Sequence, residues 1–505
     1  MNMDILSVIK NNRKGLNHCF NHYKELVPIQ RELLQDTGIQ QYRNQYPIIG
    51  TGHQPTIYYP GLLFKNFYAA ELARQSGGKA VNFIVDSDIA NYRIPIPYQV
   101  NDHLYKKQRS IENSQNKIYR DFHPASSKVY HFLDETTKNL QSLSEPRIKQ
   151  AFDQYKEQFF AVYQKHQNFT ETINNLRSRF DASRDIHLHD IKLSHIAQTT
   201  GYYRFLHFLL KHLERFSQIY NHAVEENKSK QYQPVKSLGF DQGWYELPYW
   251  LIKHAKRYPI WVKKDQQAFH FSSRNAGLHI NISRENTRSE ASMIAELKDK
   301  MALYPKATTL TIMIRLFFCD TFVHGTGAIA YERVNNRFLT EFFGLDTKPI
   351  FYAVTGDIYL PIIPYREAYN GIEQDYKRNQ KWLRNVERNP EEYLPKQLSK
   401  RFKQEKKQLA RQMQQEKDPE ERNKLHLSMN EKNKEMKNHL HEEIQKVKQR
   451  LKKYEEMLNN KNVYAERQYP YFIYPSDHLT NSELKKNISV RIIPHHPGTK
   501  FVSSF

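Results

Sequence analysis

The spacing of apolar positions changes several times along the chain, and each change predicts a different element. Residues 1–45 place apolar side chains at helical intervals, which predicts one or two helices leading into the core. Residues 46–55, YPIIGTGHQP, are typical of a buried strand ending in a glycine-bearing turn. Residues 61–78 have a helical period with a Gly-Gly stop, and residues 80–85 form a second apolar strand. Strand, turn, helix and strand together predict the start of a parallel sheet.

The middle of the chain alternates between helical and strand-like patterns. Polar and aromatic residues from 101 to 240 predict a mostly helical insertion. Within a second α/β stretch, residues 259–263, 268–272 and 307–318 are candidates for strands or buried elements, and another strand is expected at 350–354. The predicted fold class is therefore α/β, with a parallel-sheet core built from residues 1–100 and 241–370.

Residues 371–462 are rich in Lys, Glu, Gln and Asn, and their apolar residues retreat to a narrow stripe. Asp418 and Pro419 divide the segment and suit the first turn of a helix. Steps of three and four residues, typical of helices that wind around a partner, are clear after Asp418 and weaker before it. The later stripe contains Leu440, Ile444, Val447, Leu451, Tyr454 and Leu458, and the earlier one Leu398, Phe402, Leu409 and Met413. The pattern predicts an inserted antiparallel coiled-coil hairpin, after which residues 463–505 return to the core.

Charge and cysteine usage narrow the class of protein. The formal net charge of +22 would steer the chain toward phosphates, nucleic acid or anionic lipid. The two cysteines, Cys19 and Cys319, are too few for a disulfide framework, and residues 1–15 lack a secretory signal, so we expect a cytoplasmic protein. The longest apolar region, residues 310–323, carries Arg315 and Asp320 and is shorter than the roughly 20 residues of a membrane-spanning helix.

A first candidate site is the turn after the first strand. There Gly50, Gly52, His53 and Gln54 precede a helix, so backbone amides and the helix dipole would favour an anion, and His53 could donate to a phosphate. Lys65 follows one turn inside that helix. Because neither GxGxxG nor GxxxxGK[ST] is present, a purely structural turn is the alternative.

Two further motifs end apolar elements. Asp86 and Asp88 follow the second strand, where carboxylates could hold Mg²⁺ or accept an amine proton, although Asp88 could equally cap the next element. His324, Gly325 and Gly327 form another glycine turn, in which His324 could act as an acid, a base or a phosphate donor, or be a satisfied structural residue. His187, His189, Asp190 and His195 lack the spacing of a metal site, so none is predicted.

Together these motifs resemble those of the bacillithiol-biosynthesis cysteine-adding enzymes, a family of cysteine ligases, and more closely some bacterial relatives without an assigned activity. The family's TGQQ segment, its following GP(L)Y segment, its EDHD-type strand end and its GGPGEIAYW-like turn with a later FG pair correspond here to Thr51–Pro55, Pro60–Phe67, Asp86–Asp88, His324–Tyr331 and Phe343-Gly344. The resemblance implies a Rossmann-like core with insertions, a homodimer made through the coiled coil and a crevice formed by these motifs.

In that family the implied reaction joins the carboxyl group of cysteine to the amine of glucosaminyl malate. This chain departs from the pattern at three places: His53 replaces Gln, the acidic motif lacks a histidine and one carboxylate, and Ala328 replaces Glu. Because the departures fall on substrate-facing turns, the fold expectation is better supported than the cysteine and malate specificity.

The leading hypothesis is an amide-forming, nucleotide-assisted ligase or transferase acting on a small molecule, with ATP or ADP and Mg²⁺ as the cofactor such a site would take. The expected catalytic residues are His53, Asp86, Asp88 and His324, and the expected substrate- or nucleotide-binding residues are Gly52, Gln54, Lys65, Asn66, Gly325, Thr326, Gly327 and Tyr331. Nucleotidyl transfer with release of pyrophosphate is a related possibility. The alternative is a non-catalytic scaffold whose basic coiled coil binds nucleic acid or another chain.

Overall fold

The computed structural model describes residues 4–101, 103–111, 117–228, 235–284, 289–345, 349–362 and 371–493, and the backbone of residues 502–503. The chain divides into two compact units. The first comprises residues 1–96, 107–360 and 467–505, and the second comprises residues 97–106 and 361–466.

The described strands are β1 (Ile48–His53), β2 (Lys79–Ile84), β3 (Ile94–Val100), β4 (His103–Arg109), β5 (His189–Lys192), β6 (Phe240–Asp241), β7 (Trp244–Lys253), β8 (Lys256–Lys264), β9 (Ala268–Ser273), β10 (Leu278–Ser283), β11 (Leu303–Pro305), β12 (Thr321–Gly325), β13 (Phe351–Gly356), β14 (Ile488–Ile493) and β15 (Val502–Ser503).

The described α-helices are α1 (Ile5–His22), α2 (Leu26–Asp36), α3 (Gln40–Arg43), α4 (Pro60–Ser76), α5 (Ser126–Gln141), α6 (Pro146–His166), α7 (Phe169–Ala182), α8 (Leu193–Ile196), α9 (Thr200–Lys211), α10 (Leu213–Glu226), α11 (Glu290–Lys300), α12 (Ala307–Phe317), α13 (Ile329–Phe343), α14 (Ile372–Arg388), α15 (Lys396–Gln415), α16 (Pro419–His439), α17 (His441–Asn459), α18 (Lys461–Tyr464) and α19 (Asn481–Asn487).

A seven-stranded sheet forms the centre of the first unit, in the order β15-β14-β13-β12-β1-β2-β5. Strands β13, β12, β1, β2 and β5 are parallel, whereas β14 and β15 pair antiparallel at one edge. The chain first places β2 and β5 on one side of β1, and later places β12 and β13 on the other side. The strand order therefore reverses between β1 and β12, and the predicted α/β class is confirmed.

Helices cover both faces of this sheet, which explains the nearly continuous apolar runs of its inner strands. Helix α4 packs across β1, β2, β12 and β13 and ends at Gly77, whose positive φ of 62° suits a glycine C-cap. On the opposite face, Val81, Phe83 and Phe322 belong to a large apolar core that includes residues of α2, α9 and α12.

The structure refines three sequence expectations about the first unit. Residues 307–317 form helix α12, which is buried on nearly all sides, and such a short apolar run cannot be told from a buried strand by its period. The segment 101–240 is mostly helical, as predicted, and it also supplies β4 and β5. Strand β5 is a four-residue edge strand too short and too polar to leave a clear pattern. Much of 241–370 lies outside the parallel sheet.

That part forms a second, six-stranded antiparallel sheet in the order β10-β9-β8-β7-β11, with β6 paired to β7. Buried and more exposed side chains alternate along β8 and β9, as expected for a sheet that packs only one of its faces against a core. Ile260, Val262, Phe269 and Phe271 are buried in the large apolar core, and Trp261 projects from the other face.

The second unit is largely helical. Helix α14 packs against α17 and α15 packs against α16, so the chain reverses direction between α15 and α16. Asp418 Oδ1 accepts the Glu420 backbone N–H at 3.0 Å and Pro419 begins α16, as their residue types predict. Coiled-coil winding and a role in dimerisation stay predictions. Among the described residues, no helix is both long enough and apolar enough to cross a membrane.

Candidate functional site

The three predicted motifs lie at the carboxyl ends of β1, β2 and β12, which are neighbours in the parallel sheet. The strand order reverses between β1 and β12. Open α/β sheets usually have a ligand-binding crevice outside the carboxyl ends of the strands at such a reversal. Helix α4 follows β1, so its N-terminus lies at the same edge and its dipole favours negative charge there.

Lys65 occupies the position between β1 and β12. Its Nζ donates to the Gly52 carbonyl oxygen at 2.8 Å, and its Cδ would lie 3.8 Å from a Cβ placed on Gly325. The side chain is only 4% exposed, and burial lowers the pKa of its ammonium group to about 7. In the part of the chain that the structure describes, no carboxylate forms an ion pair with it.

His53 ends β1 beside this lysine. Its Nδ1 lies 3.2 Å from the Gln54 carbonyl oxygen, and its ring meets Tyr58 edge-on at 5.8 Å. Burial, helped by the positive charge of Lys65, lowers the pKa of the imidazole to about 3. His53 is therefore neutral near pH 7, and donation from Nδ1 to Gln54 leaves Nε2 as a proton acceptor.

Gln54 and Asp88 form a polar group with a residue that the sequence did not indicate. Gln54 Nε2 donates to Asp88 Oδ2 at 2.8 Å, and Asp88 Oδ1 accepts the Ile89 backbone N–H at 2.7 Å. Arg257 Nη1 pairs with Asp88 Oδ1 at 2.6 Å. Arg257 comes from β8 in the antiparallel sheet, and its polar local sequence carries no signal of this contact. The bond to Ile89 fits the capping alternative for Asp88.

Asp86 and Asn66 are committed to structural contacts. Asp86 is buried, accepts the Ser194 backbone N–H at 2.9 Å and also bonds the Ser194 hydroxyl, so it anchors the start of α8. Burial raises the pKa of its carboxyl group. Asn66 donates to Asp181 on α7 at 2.8 Å. Neither side chain joins Lys65 and His53.

The structure does not bring the His324 side chain to His53. Thr51 is aligned with Val323, so His53 and Gly325 lie on one face of the sheet and His324 lies on the other. His324 is buried, and its Nε2 lies 3.5 Å from Glu332 Oε1 without a hydrogen bond in the described chain. Burial, with smaller contributions from Arg315 and Lys65, lowers the pKa of this imidazole well below its usual range.

A buried ion pair supports that second histidine. Arg315 Nη1 lies 2.5 Å from Glu332 Oε2, and Asn335 Nδ2 donates to Glu332 Oε1 at 2.8 Å. Tyr331 also belongs here, because its ring meets His324 edge-on at 6.1 Å and burial raises the pKa of its hydroxyl. His324, expected in the pocket, therefore lies buried on the face of the sheet opposite His53, and the partly buried Tyr331 lies beside it.

Packing requires a glycine at position 52 but not at position 327. A Cβ on Gly52 would lie 2.7 Å from the Phe83 carbonyl oxygen, so close packing of β1 on β2 requires glycine there. A Cβ on Gly327 would meet nothing within 4 Å, and Thr326 and Gly327 lie in a short 3₁₀ turn leading to α13. The Gly52 result fits the structural reading of the first turn.

We expect Gly52→Ala to lower the free energy of unfolding by about 1–3 kcal/mol, because the added methyl group must displace the backbone of β2. Gly327→Ala is the matched control and should change it by less than about 0.5 kcal/mol. Urea denaturation of both variants measures the difference. Equal stability of the two variants would contradict the packing argument.

Metal binding finds little support at this edge. Asp86 and Asp88 already hold protein donors, so they do not offer the free carboxylate oxygens that Mg²⁺ prefers. Across the described ranges, no group of three or more His, Cys, Asp or Glu side chains is placed to hold a metal ion. In the histidine-rich segment, Asp190 is paired with Arg177 and His187 with Asp185.

No protein-family model matches this chain. No curated protein matches it either. The geometry of the site is therefore the basis for inferring function, and its principal side chains are Lys65, His53, Gln54, Asp88 and Arg257.

Proposed function

We propose that the edge between β1 and β12 binds the anionic group of a small-molecule substrate or nucleotide. The observation that carries the proposal is Lys65, a buried cation without a carboxylate partner among the described residues. An unpaired buried charge is costly, and a bound carboxylate or phosphate would supply the missing negative charge. Two N–H groups of the ammonium remain for such a ligand after its bond to Gly52.

The sheet topology supports the same location. The order β5-β2-β1-β12-β13, with its reversal beside β1, is the order of a Rossmann-like core. Ligands of such sheets bind outside the carboxyl ends of the strands at the reversal, where Lys65 and His53 lie. The N-terminus of α4 adds a favourable dipole at the same place.

The reaction class we propose is amide formation by a ligase or transferase, as the motif resemblance to the cysteine-adding enzymes implies. An amine would attack an activated carboxyl carbon, so that a C–N bond forms and the bond to the leaving group breaks. Neutral His53 would take the proton that the amine loses, and an anion bound beside Lys65 would raise the pKa of His53 toward the range of an effective base.

ATP or ADP fits this edge in part. Lys65 and the α4 N-terminus would hold its phosphates, and the nucleotide would supply carboxyl activation. The carboxylates expected to hold Mg²⁺ carry protein partners, so no step is assigned to the metal.

A non-catalytic binding or scaffold function is the second candidate. It is favoured by the structural roles of Asp86, Asn66 and His324, which leave fewer groups for catalysis than the motifs suggest. In that case the helices of residues 372–464 would make the principal contacts, either with a second copy of the chain or with nucleic acid.

Ligand-induced thermal stabilisation tests the proposal. ATP, ADP, cysteine and glucosaminyl malate should be compared on the wild type, Lys65→Met and the exposed-site control Lys24→Met. A ligand at 100 times its dissociation constant adds about 2.7 kcal/mol. We expect at least one ligand to stabilise the wild type and Lys24→Met but not Lys65→Met. Stabilisation that survives in Lys65→Met would place the ligand elsewhere, and no response to any ligand would favour the scaffold function.

A further inference from the structure

The outward face of the antiparallel sheet contains a cavity of about 290 Å³ that the proposed reaction does not use. Two of the four tryptophans of the chain line it, Trp244 on β7 and Trp261 on β8. Asp241, Arg274, Asn275 and His279 surround them. The cavity combines large aromatic surfaces with polar groups, as ligand sites usually do.

The tryptophans face outward because of strand alternation. Ile260 and Val262 point into the core, so Trp261 between them must project from the opposite face. The Trp261 ring lies directly against Gly239, where any Cβ would collide with it, and this contact holds the indole in place. Both indoles are only half-buried, so each retains an open surface.

Four of the polar side chains that line the cavity are available to a ligand. Within the described ranges, the side chains of Asp241, Arg274, Asn275 and His279 have no hydrogen-bond or ion-pair partner. Lys263, two residues after Trp261 on β8, lies on the same face and is exposed. The aromatic surfaces are thus bordered by cations that have no ion-pair partner among the described residues, and by planar side chains that donate or accept hydrogen bonds.

We propose that this face binds single-stranded nucleic acid by stacking bases on Trp244 and Trp261. An indole ring can stack on any of the bases. Asn275 and Asp241 can form hydrogen bonds with base edges, and Arg274 and Lys263 can contact the phosphates. The net charge of +22 favours a polyanion over a neutral ligand. A neutral sugar ring could stack on the same indoles, but it carries no negative charge to pair with the cations. This function is independent of the Lys65 edge.

Binding of labelled 15-nucleotide oligo-dT and oligo-U by fluorescence anisotropy, together with quenching of tryptophan emission, tests the proposal. We expect Trp244→Leu and Trp261→Leu each to weaken binding about 5- to 150-fold, the value of one stacked base. Arg274→Gln should lower the slope of log affinity against log salt by about 0.7, as for one phosphate contact. Because Arg274 is exposed, this variant tests the site even if a tryptophan variant fails to fold.

The matched control is Lys403→Gln with Lys407→Gln, two exposed lysines on α15 in the second unit. The proposal predicts little change in affinity there. It is overturned if both tryptophan variants bind as tightly as the wild type, if affinity is lost only with the α15 lysines, or if no oligonucleotide binds. Binding of a mononucleotide or an oligosaccharide without oligonucleotide binding would overturn it as well.

Discussion

Lys65→Met should raise the free energy of unfolding at pH 7 by about 3 kcal/mol while abolishing stabilisation by an anionic ligand. Burial lowers the pKa of Lys65 from 10.5 to about 7, which corresponds to about 5 kcal/mol of destabilisation at 1.36 kcal/mol per unit. Loss of the hydrogen bond to the Gly52 carbonyl oxygen offsets about 1–2 kcal/mol of the gain. A group that reduces stability but is needed for binding is the mark of a functional residue.

The pH dependence of this gain follows from the same pKa. Between pH 10.5 and 7 the unfolded chain binds a proton at Lys65 that the folded chain does not, so the penalty grows as the pH falls and is constant below pH 7. The advantage of Lys65→Met should therefore disappear near pH 10. Urea denaturation at pH 7 and pH 10 measures it, with Lys24→Met as the exposed control. If Lys65→Met were less stable than the wild type at pH 7, the inference that Lys65 is a buried cation without a carboxylate partner among the described residues would be contradicted.

Arg315→Met should lower the free energy of unfolding at pH 7 by about 3–5 kcal/mol, the usual cost of removing one partner from a buried ion pair. The arginine bonds Glu332 Oε2 at 2.5 Å and Asn336 Oδ1 at 2.6 Å, and both Arg315 and Glu332 are buried. Without Arg315, the Glu332 carboxylate would remain buried beside a neutral His324. The double change Arg315→Met with Glu332→Gln should recover most of the loss.

The loss in Arg315→Met should shrink as the pH falls. Burial raises the pKa of Glu332, and removal of Arg315 raises it further, so the folded variant takes up a proton where the unfolded chain is still ionised. Its stability relative to the wild type is therefore lowest above the raised pKa and improves toward pH 5. Chemical denaturation of the wild type and both variants at pH 5 and 7 measures this. Equal losses in the single and double variants would contradict the ion-pair account.

Local patterns predicted the first β-α-β unit with good accuracy. The apolar run before His53, the helical period after Pro60 and the Gly77-Gly78 stop gave β1, α4 and β2 within a few residues of their observed bounds. Asp418 and Pro419 likewise marked the start of α16. Such features depend on neighbours in the chain, because caps, turns and periods are set by residues only a few positions apart.

Contacts between distant residues decided the candidate site. Arg257 forms an ion pair with Asp88, 169 positions earlier in the chain. Ser194 donates hydrogen bonds to the Asp86 carboxylate. The register of β1 and β12 places His324 on the face of the sheet opposite His53. The sequence determined that this chain is α/β with charged and glycine-bearing turns at its strand ends. Folding decided that Lys65 is buried without a carboxylate partner among the described residues. Burial, ion pairing and the face of a side chain depend on the elements that pack against it.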